Sequence, residues 1–379
     1  MSRSRVSAPK TTAPRVVHLT SAHPSDDPRI FAKQCRSLAA AGYDVHLVAP
    51  GADRVGDGVR VWGVAKPVEE RRALRMTRTV VEVARRAVAL DADVYHLHDP
   101  ELVPVGLALA AAGRKVVYDA HEDLPGSVLL KDWIRPRLRA TVAGFARGAE
   151  RLAARRFAAV VAATPPIAEQ FESIASRIVV VSNFPRLEEF ATPVDTRADR
   201  EPAVCYVGSI SENRGVRVML DAVAEVDVTL LLAGFFSPPD LRERLARHPG
   251  WLRVTALGQL DRTGVADTIA RSRAGLSVLA PVPTYVTSQP TKVYEYMAAG
   301  VPVIASNFAL WRTIVDDNRA GITVDPTDAS AVASAIRWVL EHPDEAEAMG
   351  RNGRIAVEHC YSWKPEARKL LALYADILG

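Results

Sequence analysis

The sequence predicts an α/β protein built from two doubly wound parallel sheets in tandem. Short apolar runs alternate with capped, helix-length segments through both halves of the chain. Its 379 residues exceed the ~250–300 at which single cores stop growing. A polar, proline-punctuated stretch, FPRLEEFATPVDTRADREP (184–202), separates the halves as an interdomain linker. Continuous apolar strands, rather than alternating ones, are what a sheet covered on both faces requires.

The first domain spans 15–183, behind a basic, polar tail (1–14) expected to be disordered. RVVHLT (15–20) reads as its first strand. Asp27 caps the next helix with Pro28 at the first helical position, and PRIFAKQCRSLAAAG runs to a stop at Gly42. DVHLVAP (44–50) is the second strand. DVYHLH (93–98) follows, Asp99-Pro100 starts a helix, and KVVYDAHE (115–122), FAAVVAAT (157–164) and RIVVVSN (177–183) complete the series. The second domain (203–360) repeats the alternation in AVCYVGS (203–209), VTLLLAG (228–234), RVTALGQ (253–259), AGLSVLA (274–280), PVIAS (302–306) and GITVD (321–325). Residues 361–379, ending in WKPEARKLLALYADILG, form an amphipathic helix able to cross back to the first domain. Ligands of such sheets bind beyond the carboxyl ends of the strands, which places the expected site in a cleft between the two domains.

Bulk chemistry removes several function classes. A net charge of +4 is too small to imply nucleic-acid binding. Three dispersed cysteines fit neither a disulfide framework nor a zinc site, and a reducing cytoplasm is the expected compartment. The amino terminus lacks the apolar core of a signal peptide, and no run approaches the ~18 apolar residues of a membrane span. There is no P-loop, HExxH or GxSxG, and the absence of GxGxxG after the first strand argues against a nicotinamide dehydrogenase.

Chemistry concentrates in SQPTKVYEYMAAGVPVIAS (288–306). A helix starting near Pro290 would aim the amides of Thr291, Lys292 and Val293 at an anion, helped by the helix dipole. One turn on, Glu295 lies in an apolar run, where a carboxylate is costly without a partner. That partner is either a neighbouring Arg or Lys, or the hydroxyl pair of a ribose whose diphosphate rests on the helix start. In YVGSISENRG (206–215) the strand ends at Gly208, Ser209 follows, and the loop delivers Arg214 ahead of Gly215. Glycine permits close backbone approach and arginine offers a donor fork for phosphate oxygens. Gly258, at the end of the third strand of this domain, lies on the same edge.

Taken together, these residues resemble the retaining, nucleotide-sugar-dependent glycosyltransferases of family four. These have the GT-B fold of two facing Rossmann-like domains. The resemblance runs from HLTSAHPSDDPRIFAKQCRSLAAAGYDVHLV onward over nearly the whole chain, and PTKVYEYMAAGVPVIAS is its most specific part. It implies that Glu295 is the second glutamate of the family's Glu-x7-Glu pair, the ribose ligand, and that Arg214 sits at the diphosphate-binding Lys-Gly position. The first glutamate is replaced by Thr287, so Thr287, Ser288 and Gln289 become neutral donor-sugar candidates. The arginine often found just after the YVG strand is replaced by Ser209, which leaves neutralisation of the diphosphate to Arg214 and Lys292. DAHEDLP (119–125) resembles the segment whose histidine reaches the reaction centre, which implies that His121 contacts the donor sugar and that Glu122 or Asp123 faces the acceptor. Without that resemblance, Asp119 and Asp123 read as turn or cap residues and His121 as packed. HPSDDPRI (23–30) and HLHDPEL (96–102) end strands on the same edge, so His23, Asp27, Arg29 and His98 are acceptor-side candidates. Asp27 and Asp99 read first as helix caps.

The function expected is transfer of a sugar from a nucleoside diphosphate sugar to a hydroxyl of a glycan, lipid-linked or secondary-metabolite acceptor. The only DxD-like string, DAD (91–93), precedes a strand on the wrong side of its sheet, so no metal and no other cofactor is expected. Retention in this family is attributed to front-face attack, with the diphosphate receiving the acceptor proton. The segment 131–156 carries seven arginines among Trp133, Leu138, Val142, Phe145 and Leu152, which fits either a solvated face or peripheral contact with the inner membrane surface. An inactive sugar-nucleotide-binding scaffold and a GT-B sugar-nucleotide epimerase are the rival readings.

Overall fold

The computed structural model describes residues 13–65, 72–129, 134–190 and 200–379. Most of the amino-terminal tail (1–12), the start of the basic segment with Trp133, and linker residues 191–199 lie outside the described residues. The chain divides into two units, Met1–Asn183 with Lys364–Gly379, and Phe184–Trp363.

In the first unit the strands are β1 (Arg15–Leu19), β2 (Asp44–Pro50), β3 (Arg54–Gly56), β4 (Val59–Val64), β5 (Val94–Leu97), β6 (Lys115–Ala120), β7 (Ala159–Ala162) and β8 (Ile178–Val180). They form one sheet in the order β3-β4-β2-β1-β5-β6-β7-β8, parallel except for the β3–β4 hairpin. The order reverses between β1 and β5, the place where ligands of doubly wound sheets gather. Strand alternation sorts the side chains. Val17, Leu19, Tyr95 and Leu97 enter the large apolar cluster on one face. His18 and His96, directly opposite one another in the register, point to the other face. That face is covered by the segment Pro28–Ala40, wound first as a π-helix and then as an α-helix, and by the terminal helix Trp363–Leu378. The terminal helix is tied to this unit by polar bonds: Ser182 N–H donates to Glu366 Oε2 at 2.7 Å, Lys115 Nζ to the Ile377 carbonyl at 2.7 Å, and Tyr374 bonds His96.

The second unit contains β9 (Ala203–Val207), β10 (Thr229–Ala233), β11 (Val254–Gly258), β12 (Ala274–Ser277), β13 (Val303–Ser306) and β14 (Gly321–Val324). All are parallel in the order β11-β10-β9-β12-β13-β14, with the reversal between β9 and β12. Alternate residues feed two buried clusters, Cys205, Val207, Leu231 and Ala305 in one and Val204, Tyr206, Leu230 and Ile304 in the other, so both faces are covered. The linker reading needs a correction at its start. Phe184 and Phe190, the latter closing a short turn Leu187–Phe190, are buried in the first of these clusters and anchor residues 184–190 to the second unit.

Candidate functional site

At the carboxyl edge of the second sheet, three strand ends are tied backbone to backbone. Gly208 N–H donates to the Ala233 carbonyl at 2.8 Å and Gly234 N–H to the Gly258 carbonyl at 2.7 Å. Gly234 has φ +144°, and a Cβ there would stand 1.8 Å from the Gly208 oxygen, so only glycine fits. The Lys292 side chain closes over this bare main chain, its Cε 2.8 Å from where a Gly208 Cβ would be. Lys292 Nζ lies 5.2 Å from the Tyr206 ring centroid, and the Arg214 guanidinium 5.7 Å from that of Tyr285. Ser209 supplies a backbone carbonyl that accepts from the Tyr206 hydroxyl at 2.7 Å. Burial, and then the nearby Arg214 charge, lower the Lys292 ammonium from its ordinary range to about 7. Glu295 offsets this only in part, and among the described residues neither Lys292 nor Arg214 has an ion pair.

The helix Thr291–Ala298 begins as expected, with Pro290 at the cap and no side chain capping it. One of the three predicted amides is already used: Thr291 N–H donates to the Gln289 carbonyl at 3.1 Å. The first helical hydrogen bond at this end is Tyr294 N–H to the Pro290 carbonyl, so Lys292 and Val293 supply the amides that precede it. Glu295 is buried, and its Oε1 accepts from Arg262 at 2.8 Å. Arg262 also holds Glu189 at 2.7 Å, so one guanidinium ties two carboxylates. This is the neighbouring-arginine partner that the sequence offers as the alternative to a ribose. Sequence inspection missed Arg262, which lies 33 residues upstream in a different helix. Ahead of the helix, Pro283–Val286 forms a helical turn. The Thr287 hydroxyl donates to the Pro283 carbonyl at 3.2 Å and that of Ser288 to the Tyr285 carbonyl at 3.0 Å, leaving both oxygens as acceptors only.

In the first unit the polar residues of the switch point form a layered network. Asp119, fully buried, accepts from Arg29 Nε at 3.0 Å and from its Nη2 at 2.7 Å. It also accepts from Gln34 Nε2 at 2.8 Å and His98 Nδ1 at 3.1 Å. Burial alone would raise the Asp119 carboxyl, but Arg29 and His98 hold it well below the usual carboxylate range. His98 Nε2 lies 2.8 Å from His18 Nδ1, and Tyr374 OH lies 2.9 Å from His96 Nδ1. Burial first, and the neighbouring imidazoles second, keep His18 and His96 neutral.

Two acceptor-side assignments are corrected by this burial. Arg29 has every guanidinium nitrogen engaged, the third on the Val181 carbonyl at 3.0 Å, and His98 is wholly enclosed, so both are structural. Asp27 is the helix cap its sequence context suggests, with Oδ1 accepting from the amides of Arg29 and Ile30. Asp99 is not a cap. It occupies the cap position without a capping bond, and its Oδ2 instead accepts from the Thr20 hydroxyl at 2.7 Å and the Ser21 amide at 2.6 Å. That holds the loop after β1, where His23 sits between Asp27 (3.4 Å) and Asp99 (3.3 Å). Burial opposes its charge, but the Asp27 hydrogen bond and both carboxylates raise His23 to about 9. The His121 ring meets His23 edge-on at 5.2 Å. Its Nδ1 lies 3.3 Å from the Asp119 carbonyl, which can only accept, so Nδ1 carries the proton and Nε2 a lone pair. Burial lowers the His121 pKa, and the Arg29 and His23 charges add to that. Glu122 is exposed and accepts from the Ser127 hydroxyl at 3.2 Å.

Two doubly wound parallel sheets, each with chemistry-bearing loops at its switch point, are the architecture that GT-B glycosyltransferases have. Residues 29–183 match the family described as "Glycosyl transferase 4-like domain" and residues 201–342 match "Glycosyl transferases group 1". The chain is 30% identical over 307 residues to the phosphatidyl-myo-inositol mannosyltransferase of Mycobacterium tuberculosis, covering 76% of this chain and 75% of that protein. It is 25% identical to the glycogen synthase of the same organism, over 89% of this chain and 88% of that one. It belongs to the family-four glycosyltransferases. The fold is shared with a sucrose-phosphate synthase from Thermosynechococcus elongatus at TM-score 0.75 and 20% identity, over 96% of this chain and 99% of that one. It is shared also with Anabaena HepE, solved with UDP-glucose, at TM-score 0.70 and 17% identity, over 96% and 100%.

Proposed function

We propose that this glycosyltransferase moves a sugar from a nucleoside diphosphate sugar to a hydroxyl acceptor with retention and without a metal on the diphosphate. The observation that carries the reading is the cradle of Lys292, Arg214 and the bare strand ends at Gly208 and Gly234. Its two cations and the amides of Lys292 and Val293 suit a leaving diphosphate, whose charge grows as the sugar departs. Glu295 takes the ribose hydroxyls through the carboxylate oxygen that Arg262 leaves open, and Arg262 fixes that carboxylate in place. In the first unit, His121 offers its Nε2 lone pair to a sugar hydroxyl, and His23 and Glu122 stand on the same sheet edge for the acceptor. In the step itself the acceptor oxygen bonds to the anomeric carbon on the face the diphosphate leaves. The carbon–oxygen bond to the diphosphate breaks, and the acceptor proton passes to a diphosphate oxygen.

A thermal-shift panel of UDP-, GDP-, ADP- and dTDP-linked sugars identifies the base, and stabilisation by one of them is expected. Arg214→Ala should lower kcat/KM at least ~10²-fold. Full activity in that variant would remove the diphosphate role, and no shift with any donor would favour the scaffold reading.

The acceptor side also supports contact with an anionic membrane surface. The helix Pro136–Arg156 exposes Leu138, Val142, Leu152 and above all Phe145, which is 83% accessible. Its one acid, Glu150, turns inward to the Tyr118 hydroxyl at 2.9 Å, so the exposed face carries arginines, apolar groups and Thr141 but no carboxylate. No helix among the described residues is long and apolar enough to cross a membrane. Co-sedimentation with phosphatidylglycerol-containing liposomes is expected, weakened by Phe145→Ser. No binding at low salt would refute the contact.

A further inference from the structure

We propose that His18, His96 and His98 form a buried zinc site beneath the switch point of the first sheet. All three are completely inaccessible, and one ligand atom from each lies within 4.8 Å of the others. The ring centroids are 4.7, 4.8 and 5.1 Å apart. The placement follows from the strands: His18 and His96 are register partners on β1 and β5, and His98 follows His96 by two residues on the same face.

The second observation is unsatisfied chemistry. His18 Nε2, His96 Nε2 and Gln34 Oε1 are buried with no hydrogen-bond partner. Buried polar atoms without partners are rare, and a group of them in one network calls for an occupant. The hydrogen bonds around them fix what that occupant meets. Asp119, held by Arg29, only accepts, so His98 Nδ1 carries a proton, and in the neutral tautomer Nε2 is then a lone pair. That lone pair takes the His18 Nδ1 proton, which leaves a lone pair on His18 Nε2 with nothing to bind. His96 Nδ1 lies 2.9 Å from Tyr374 OH, which can donate or accept, and its Nε2 has no partner; in the tautomer whose Nδ1 donates, Nε2 presents a lone pair.

Imidazoles held at Nδ1 by a carboxylate or hydroxyl have the outer support of metal ligands, and His98 beside Asp119 and His96 beside Tyr374 have it. Neutral imidazole suits zinc, at nitrogen distances of about 2.0–2.1 Å that bring ligand atoms within roughly 3.3 Å of one another. Ring rotation closes the remaining gap, and the His18–His98 hydrogen bond gives way to the ion. Gln34 Oε1 or a water completes the tetrahedron. The ion would brace β1 against β5, under the loops that carry His23 and Asp99, and takes no part in the transfer step.

Elemental analysis of the untagged, full-length protein should find about one zinc per chain. A chelator should remove it with a fall in Tm that added Zn2+ reverses. Co2+ in its place should give visible d–d absorption from a four-coordinate site, a readout independent of any variant. His18→Phe and His96→Phe should each bring the zinc content to background. A protein that is metal-free as isolated, and gains neither Tm nor absorption from Zn2+ or Co2+, holds an internal water there instead and overturns the proposal. Zinc retained unchanged in both variants overturns it equally.

Discussion

Binding of a nucleoside diphosphate at pH 8 will draw close to one proton from solution, and Lys292→Met will abolish that uptake. Burial and the Arg214 charge lower the free Lys292 ammonium to about 7, so at pH 8 it is largely neutral. A diphosphate set against it supplies the missing negative charge and pulls its pKa back toward the ordinary ~10.4. Affinity must therefore fall as pH rises above 7, by up to tenfold per unit. The stability of the ligand-free protein moves the other way. An unfolded lysine still binds its proton between pH 7 and ~10.4 while the folded one does not, so the Lys292 contribution improves with pH across that window, by about 1.4 kcal/mol per unit at most. Calorimetry in buffers of different ionisation enthalpy measures the uptake, and wild type minus Lys292→Met isolates the stability slope. Equal proton counts for the two proteins would mean that Lys292 lies away from the phosphates. Opposite slopes for binding and stability are the signature, because a surface lysine would show neither.

The glycine-and-proline punctuation made much of this architecture readable from residues alone. Strands such as DVHLVAP appear with the bounds predicted, since a run buried on both faces leaves few places to start or stop. The β3–β4 hairpin was overlooked although its signal was present: Asp57-Gly58, both at positive φ (51° and 75°), is the turn pair that two-residue hairpins demand. In the site, legibility followed range. Asp27 caps residues two and three positions away and could be read locally. Asp99 looked identical in sequence, but its carboxylate is claimed by Thr20 and Ser21, 79 and 78 residues earlier. Arg262 and Glu295 meet across 33 residues, and Arg29 and Asp119 across 90. No spacing rule reaches such pairs. They exist because a parallel sheet brings the ends of distant strands to one edge, and there the charged residues choose partners by proximity.

Arg29→Met will destabilise the first unit by about 3–5 kcal/mol, the cost of leaving a buried carboxylate without its cation. Asp119 is fully enclosed, and without Arg29 only Gln34 and His98 remain to donate to it. Arg29→Lys will recover little. A single ammonium cannot make the two parallel bonds to Asp119 and reach the Val181 carbonyl as well. Adding Asp119→Asn to Arg29→Met will restore part of the loss, because a neutral amide still accepts from His98 without stranding a charge. With two units in one chain a single unfolding free energy is ill-defined. Amide hydrogen exchange in β1, β5 and β6 is therefore the measurement, with protection expected to drop by ~10²–10³-fold. Nucleotide affinity at the second unit should be unchanged. If protection held while acceptor-dependent turnover collapsed, Arg29 would be a substrate ligand after all, and the burial that reassigns it to the framework would have been misread.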